Sequence, residues 1–292
     1  MTDCIITRYG EIGLKSSWVR QRFEQLLANN IAEALTKQNI DIEKIQTKSA
    51  RNYIFCSDYK KALKVLKNVF GIVSYSPAHI VKSDFESIKE KALEIYKDAA
   101  KNKKKKFRVT SRRTKDFPIP SMELSAKVGE YILEKTNSNV DLNNYSININ
   151  IEIKGPKAYI FTEYCKGYAG LPIGSTGKVV SLFSGLNSYL ASWLMARRGC
   201  KLHLVYFGKK NKKVSDLYKE LKKVYYCNED LELEYLDGKL SLEKTAEIAE
   251  NVNAGAIVTG SKKLSEISKS TLPVLTPVLA LNRKTLKQIT DI

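Results

Sequence analysis

The sequence predicts a multidomain protein that joins α+β and α/β folds. Three observations predict it. The length of 292 residues suits two or three domains of ordinary size. The N-terminal part alternates short β-branched runs with amphipathic helical stretches. Beyond a glycine-rich stretch at 166–177, strands are followed by helices through small-residue loops, the pattern of a parallel sheet. A hydrophobic content of 43% excludes bulk disorder. No run approaches the ~20 apolar residues of a membrane span. The segment Met1–Arg8 has neither the basic nor the apolar region of a signal peptide. A cytoplasmic protein with no membrane partner is the expectation.

The elements follow in order. Residues 3–9 form a short strand, broken by Gly10 and Gly13. Ser16 or Ser17 caps a helix to about Lys37, with Val19, Phe23, Leu26, Leu27, Ile31 and Leu35 at helical spacing. Tyr53–Cys56 is a strand, Tyr59–Val69 a helix, and Ile72–Ile80 a third strand. This β-α-β-α-β run suits a small ferredoxin-like unit, residues 1–80. A second unit, 81–166, holds helix 84–97, strand 107–111, a helix begun by Ser121, and the strand 145–153, where Ile147, Ile149, Ile151 and Ile153 alternate. Residues 167–177 are expected to be a linker, since Lys166–Gly177 holds four glycines and one proline. The third unit, 178–292, opens with strand Val179–Phe183, helix Ser188–Arg198 and strand Leu202–Phe207. Helix Leu242–Asn251 and strand Ala256–Val258 continue the alternation.

Lys and Arg outnumber Asp and Glu by 49 to 31, a formal charge of +18 that draws polyanions. The excess is clustered. Lys101–Lys115 has nine basic residues in fifteen and no acidic one, namely Lys101, Lys103, Lys104, Lys105, Lys106, Arg108, Arg112, Arg113 and Lys115. Such density neutralises phosphates, and arginine's planar fork fits their oxygens. A solvated loop between helix and strand is the competing explanation. RNA is favoured over DNA because no helix-turn-helix or basic zipper is present. The five cysteines, Cys4, Cys56, Cys165, Cys200 and Cys227, form no CxxC pair, and only His79 and His203 could join them. No metal site is expected, and the thiols are expected free and mostly buried.

A second constellation is the turn Val180–Ser188, where a buried strand runs through small residues into a helix. N–H groups at a helix start can hold a phosphate, with Ser184 and Ser188 adding hydroxyls. Small residues are also ordinary in any such turn. Ligands of an open parallel sheet lie at the carboxyl ends of its strands. That rule brings Gly260, Tyr206, Phe207 and the 184–188 loop to one rim.

In these residues the chain resembles the tRNA 4-thiouridine synthetase family, the tRNA sulfurtransferases. Arg8-Tyr-Gly-Glu11, Leu14-Lys15, Phe23, Val69-Phe-Gly-Ile72 and Ser76-Pro77 look like its ferredoxin-like domain. Phe107-Arg-Val109, Arg112-Arg113, Phe117-Pro118 and Ser121-x-Glu123 look like its RNA-binding THUMP domain. Gly170–Lys178, Ala191–Gly199 and Val258-Thr-Gly260 look like its PP-loop ATP pyrophosphatase domain.

The resemblance implies that a uridine of tRNA is adenylated by ATP with Mg²⁺ and its activated oxygen then replaced by sulfur. It places ATP on Leu182, Phe183, Ser184, Gly185, Asn187 and Ser188, with Tyr206, Phe207 and Gly260 on the rim. It places tRNA on Lys103–Lys106, Arg108, Arg112, Arg113 and Lys115. No catalytic residue is assigned. A homodimer and a role in thiazole synthesis are also compatible with it. The chain departs from the family motif Ser-Gly-Gly-x-Asp-Ser, reading Phe183-Ser-Gly-Leu-Asn-Ser188. Phe183 is expected to set bulk where a hydroxyl would face phosphate, and Asn187 replaces a carboxylate useful to Mg²⁺. Lys269 stands where the family has glutamine, and the segment between Phe207 and Ala254 looks shortened. No cysteine matches the family's sulfur-handling one, which lies beyond Pro273–Leu279, and no rhodanese domain follows before Ile292. Sulfur would then come from a separate protein. The alternative is a catalytically decayed tRNA-binding module working beside a separate catalytic subunit.

Overall fold

The computed structural model describes residues 2–48, 50–101, 103–263 and 270–282. Two sheets organise them. The first begins with β1 (Cys4–Arg8), α1 (Ser17–Thr36), the hairpin β2 (Ile42–Lys48) and β3 (Arg51–Cys56), then α2 (Tyr59–Leu66) and β4 (Ser74–Lys82). It continues through α3 (Phe85–Ala100), β5 (Phe107–Arg112), α4 (Ser121–Thr136), β6 (Ile147–Lys154) and β7 (Lys157–Phe161). The strand order is β2-β3-β1-β4-β7-β6-β5.

One strand therefore serves both N-terminal units. The first part of β4 pairs with β1 (Ile6 opposite Ser76), and its last part pairs with β7 (Ile80 opposite Tyr159). The expected boundary at residue 80 falls inside this strand. Helices α1 and α2 bury Ile5, Ile54 and Tyr75 on one face of the sheet. On the same face α3 and α4 bury Ile149, Ile151 and Ile160. Cys4, Ile6, Tyr53, Ala78, Tyr159 and Phe161 form a small core on the other face, which no helix among the described residues covers. The rings of Tyr53 and Tyr159 lie 4.7 Å apart although β1 and β4 separate their strands, so the sheet curls around this core.

At the rim of the curl sits Glu152, only 3% exposed. Arg8 donates to its carboxylate at 3.0 Å and Arg51 lies 3.8 Å away. The arginines come from the first unit and the glutamate from the second.

The stretch expected as a linker is packed rather than loose. Cys165–Lys166 (β8) pairs with β4, Ala169 N–H donates to Ile72 (2.9 Å), and Gly174 N–H donates to Gly199 (2.8 Å). Leu171 and Ile173 are buried. Gly170 has φ +80°, and a Cβ there would strike the Arg197 carbonyl, so close backbone approach explains this glycine.

The second sheet is parallel throughout, in the order β11-β10-β9-β12-β13. Its elements are β9 (Lys178–Leu182), α5 (Leu186–Arg197), β10 (Lys201–Phe207), α6 (Lys212–Lys222), β11 (Glu232–Leu236), α7 (Leu242–Asn251), β12 (Ile257–Val258) and β13 (Val274–Leu275). Strand alternation sends Val179 and Phe183 toward α5 and α6, and Val180 and Leu182 toward α7. The sequence pattern did not announce β2, α6 or β11. The latter two fill the region that looked shortened. Among the described residues, no helix is long and apolar enough to cross a membrane.

Glu152→Ala is expected to destabilise the protein by about 3 kcal/mol, because it leaves a buried arginine without its counter-charge. Urea unfolding checks this; a loss below about 1 kcal/mol would show that the pair does not join the units.

Candidate active site

The chain leaves β9 outward to β10 and β11 on one side, then returns to β12 and β13 on the other. The carboxyl ends of β9 and β12 thus flank a topological switch point, where two loops part and leave room for a ligand. A cavity of about 500 Å³ opens there, between the 184–188 turn, the 259–261 loop and the start of α7. Leu182, Ser184, Gly185, Asn187, Ser188 and Gly260 line it as expected. Leu186, Leu240, Leu242, Thr259, Ser261 and Val274 complete it. Among the described residues, no charged side chain lines this cavity.

Three expected residues lie elsewhere. Phe183 is fully buried against the α5 side of the sheet, packed in the core with Tyr189 and Trp193. Its N–H still continues the ladder to Val205 (2.8 Å), so strand alternation points the ring away from the cavity. The expectation that its bulk faces phosphate is therefore corrected. Tyr206 and Phe207 end β10, on the side of β9 away from β12. The Tyr206 hydroxyl accepts from Asn211 Nδ2 (2.7 Å), and Phe207 packs in the cluster behind Leu182 and Leu242. Neither lines the cavity. Lys269 lies outside the described residues.

Ser188 also departs from its expected role. Its Oγ accepts the N–H groups of Ser184 (2.7 Å) and Gly185 (2.9 Å) and donates to the Gly185 carbonyl (2.8 Å). The hydroxyl caps α5 from within, its proton given to the Gly185 carbonyl. The first-turn N–H groups of Leu186 and Asn187 have no intrahelical acceptor and carry the partial positive charge of the helix start. The two glycines differ in kind. A Cβ on Gly260 would collide with the backbone of Asn187 and Ser188, so this glycine lets the two loops touch. A Cβ on Gly185 would meet nothing within 4 Å. The fold does not need glycine there, and the missing side chain leaves space toward the cavity.

The basic cluster divides between the β5 edge and its flanking loops. Lys103, Lys104, Lys106, Arg112 and Lys115 are exposed. Lys106 pairs with Asp141 at 2.9 Å. Hydrogen bonds from the Asn144 backbone and from Lys106 hold the Asp141 carboxyl down at about 2. Lys105 directs Nζ at the Ala99 carbonyl (3.4 Å). The Arg108 guanidinium lies 4.1 Å over the Tyr145 ring. Arg113 spends Nη1 on the carbonyls of Thr114 and Lys115 (3.2 and 3.0 Å), so it does not act as a rigid pair with Arg112. Of the residues expected to meet tRNA, Lys103, Lys104, Arg112 and Lys115 remain the outward cations of this cluster.

All five cysteines lie among the described residues and are unpaired. Burial raises every thiol above its ordinary value, Cys4 to about 12. None is an activated thiolate.

This fold and site define a multidomain protein whose last lobe is a parallel-sheet α/β domain with a cavity at its switch point. The ThiI ferredoxin-like domain model matches residues 4–76, the THUMP domain model 82–163, and the model described as thiamine biosynthesis protein (ThiI) 174–236. A probable tRNA sulfurtransferase of Methanocaldococcus jannaschii is 36% identical over 98% of this chain and 86% of its own length. Another, from Thermococcus kodakarensis, is 44% identical over 77% of this chain; the match spans about three fifths (61%) of that relative. The crystal structure of PH1313 from Pyrococcus horikoshii Ot3 superposes with TM-score 0.87 at 37% identity, covering 99% of this chain and 98% of that one. A 4-thiouridine synthetase solved with RNA and bound ATP shares the fold, with TM-score 0.80 at 23% identity over 100% of this chain and 84% of its own. The chain belongs to the tRNA sulfurtransferase family.

Gly185→Ala is expected to leave the thermal midpoint within about 2 °C, because its Cβ would enter open space. Gly260→Ala is expected to lower stability by more than 1 kcal/mol. Thermal melts separate the two; a Gly185→Ala variant as destabilised as Gly260→Ala would show that the fold needs glycine at both positions.

Proposed function

We propose that this chain carries out ATP-dependent 4-thiouridine synthesis on tRNA. In this proposal, ATP binds in the switch-point cavity and adenylates a uridine, releasing pyrophosphate. Sulfide-level sulfur then attacks the carbon that bears the activated oxygen, the C–S bond forms as the C–O bond breaks, and the oxygen leaves with AMP. The observation that carries the reading is the helix start of α5 beside the open space at Gly185, at the carboxyl ends of β9 and β12. The N–H groups of Leu186 and Asn187 receive phosphate oxygens there. Leu182, Leu240, Leu242 and Val274 supply apolar wall for a base. Mg²⁺, when bound with the triphosphate, would neutralise part of its charge. Lys103, Lys104, Arg112 and Lys115 meet the RNA backbone. A homodimer sharing one RNA fits the same reading. The relatives named above are sulfurtransferases by name, and a protein of this fold holds ATP and RNA. The decayed binding module finds no support among them.

The thiols bear on the sulfur step. Since burial raises all five, sulfur is delivered by a separate donor protein in this reading.

Titration with ATP–Mg²⁺ is expected to show saturable binding; no heat and no thermal protection would remove the adenylation step. Neutralising Lys103, Lys104, Arg112 and Lys115 together is expected to reduce the salt slope of tRNA binding by about three, and an unchanged slope would remove that docking surface. Alkylation of the native protein by iodoacetamide at pH 7.5 is expected to run at least tenfold slower than for the urea-unfolded chain at every cysteine. One fast site would return a thiol to the mechanism.

A further inference from the structure

A second basic surface lies where the N-terminal unit meets the parallel-sheet lobe. The C-terminal turns of α1 and α6 and one face of α2, from Lys61 in its first turn to Lys64 in its last, border an open groove of about 580 Å³. Lys37, Lys61, Lys64, Lys219, Lys222 and Lys223 line it, and among the described residues no acidic one does. Lysines at helix C-termini are favoured by the helix dipole, but each dipole end carries only about half a charge. Three of the six also face carboxylates: Lys37 meets Glu33 and Asp230, Lys219 meets Asp216, and Lys223 meets Glu220. Lys61, Lys64 and Lys222 form no ion pair among the described residues. Lys61 donates to the Gln38 carbonyl, and Lys222 lies 5.5 Å from the Tyr218 ring. A net positive trench remains. Its walls are held together, because Tyr226 of the lobe is buried in the core of the first unit and Lys37 bridges to Asp230 at 3.2 Å.

We infer that this groove is a second docking surface for the backbone of a folded RNA, separate from the β5 cluster. The chemistry favours a distributed polyanion. The donors are exposed ammonium groups spread over three helices, with no arginine fork and no buried donor that would enclose a small phosphate. Among the described residues, Val65 and Tyr226 are the only apolar side chains in the lining, and both are buried, so the groove lacks an anchor for a protein partner. RNA held here lies across the seam between the two units and fixes it relative to the lobe that contains the cavity. The inference rests on the RNA-binding part of the proposed function.

The test compares the intact protein, Lys61→Ala/Lys64→Ala/Lys222→Ala, and the β5-cluster variant on one unmodified tRNA transcript between 50 and 300 mM salt. The groove variant is expected to bind at least tenfold more weakly at 150 mM, with a salt slope lower by about two, at ~0.7–0.9 per lost phosphate contact. Replacing the same three lysines by arginine is expected to retain affinity. Thermal midpoints check that these exposed substitutions leave the fold intact. If the intact protein binds and the groove variant keeps both affinity and slope, the groove is overturned and the proposed function stands. A protein partner that no longer binds the groove variant, while tRNA affinity is unchanged, overturns it as well. If the intact protein ignores tRNA at every salt concentration, the proposed function itself fails.

Discussion

The sharing of β4 between two units is the constraint from which the N-terminal architecture follows. A strand that hydrogen-bonds to β1 at one end and β7 at the other cannot hinge between them without breaking its ladder. The curl of the sheet adds a second tie by bringing Glu152 under Arg8 and Arg51. Two units of modest core size thereby act as one platform. The packed stretch 165–174 then fixes that platform to the lobe through the carbonyls of Arg197 and Gly199.

The charge of the molecule is partitioned in a way that suits two different anionic ligands. Two groups of outward cations lie on the β5 edge and its loops and in the groove between units, where they attract at long range and release in salt. The switch-point cavity holds no charged side chain among the described residues and offers instead peptide N–H groups and apolar wall. Fixed dipoles of this sort orient a phosphate without the mobility of a lysine stem. Ser188 contributes indirectly. By taking the N–H groups of Ser184 and Gly185 it sets the turn, and the N–H groups of Leu186 and Asn187 have no intrahelical acceptor.

Much of this was legible in the chain. Alternating isoleucines at 147–153 and the helical spacing of Phe23, Leu27 and Ile31 stated their elements outright, because burial on one face imposes a period on sequence. β2 was not legible: it has only Ile42 and Ile45 half-buried, so no period shows. In sequence the stretch at 166–177 looks like a linker, because glycine signals either freedom or close contact. Only the neighbours, Ile72 and Arg197, tell which.

Local pattern along the chain settled the order of units, the location of the basic cluster, and the strand–turn–helix around Gly185, since each is written in hydrophobicity, charge or small residues close together. Three-dimensional packing chose which side chains from that turn face the cavity, sending Phe183 into the core and Ser188 into the cap. It also set Leu240, Leu242 and Val274 opposite them and gathered lysines from three helices into one groove. Those outcomes depend on strand register and on how distant segments approach, and neither leaves a period or a composition for the sequence to show.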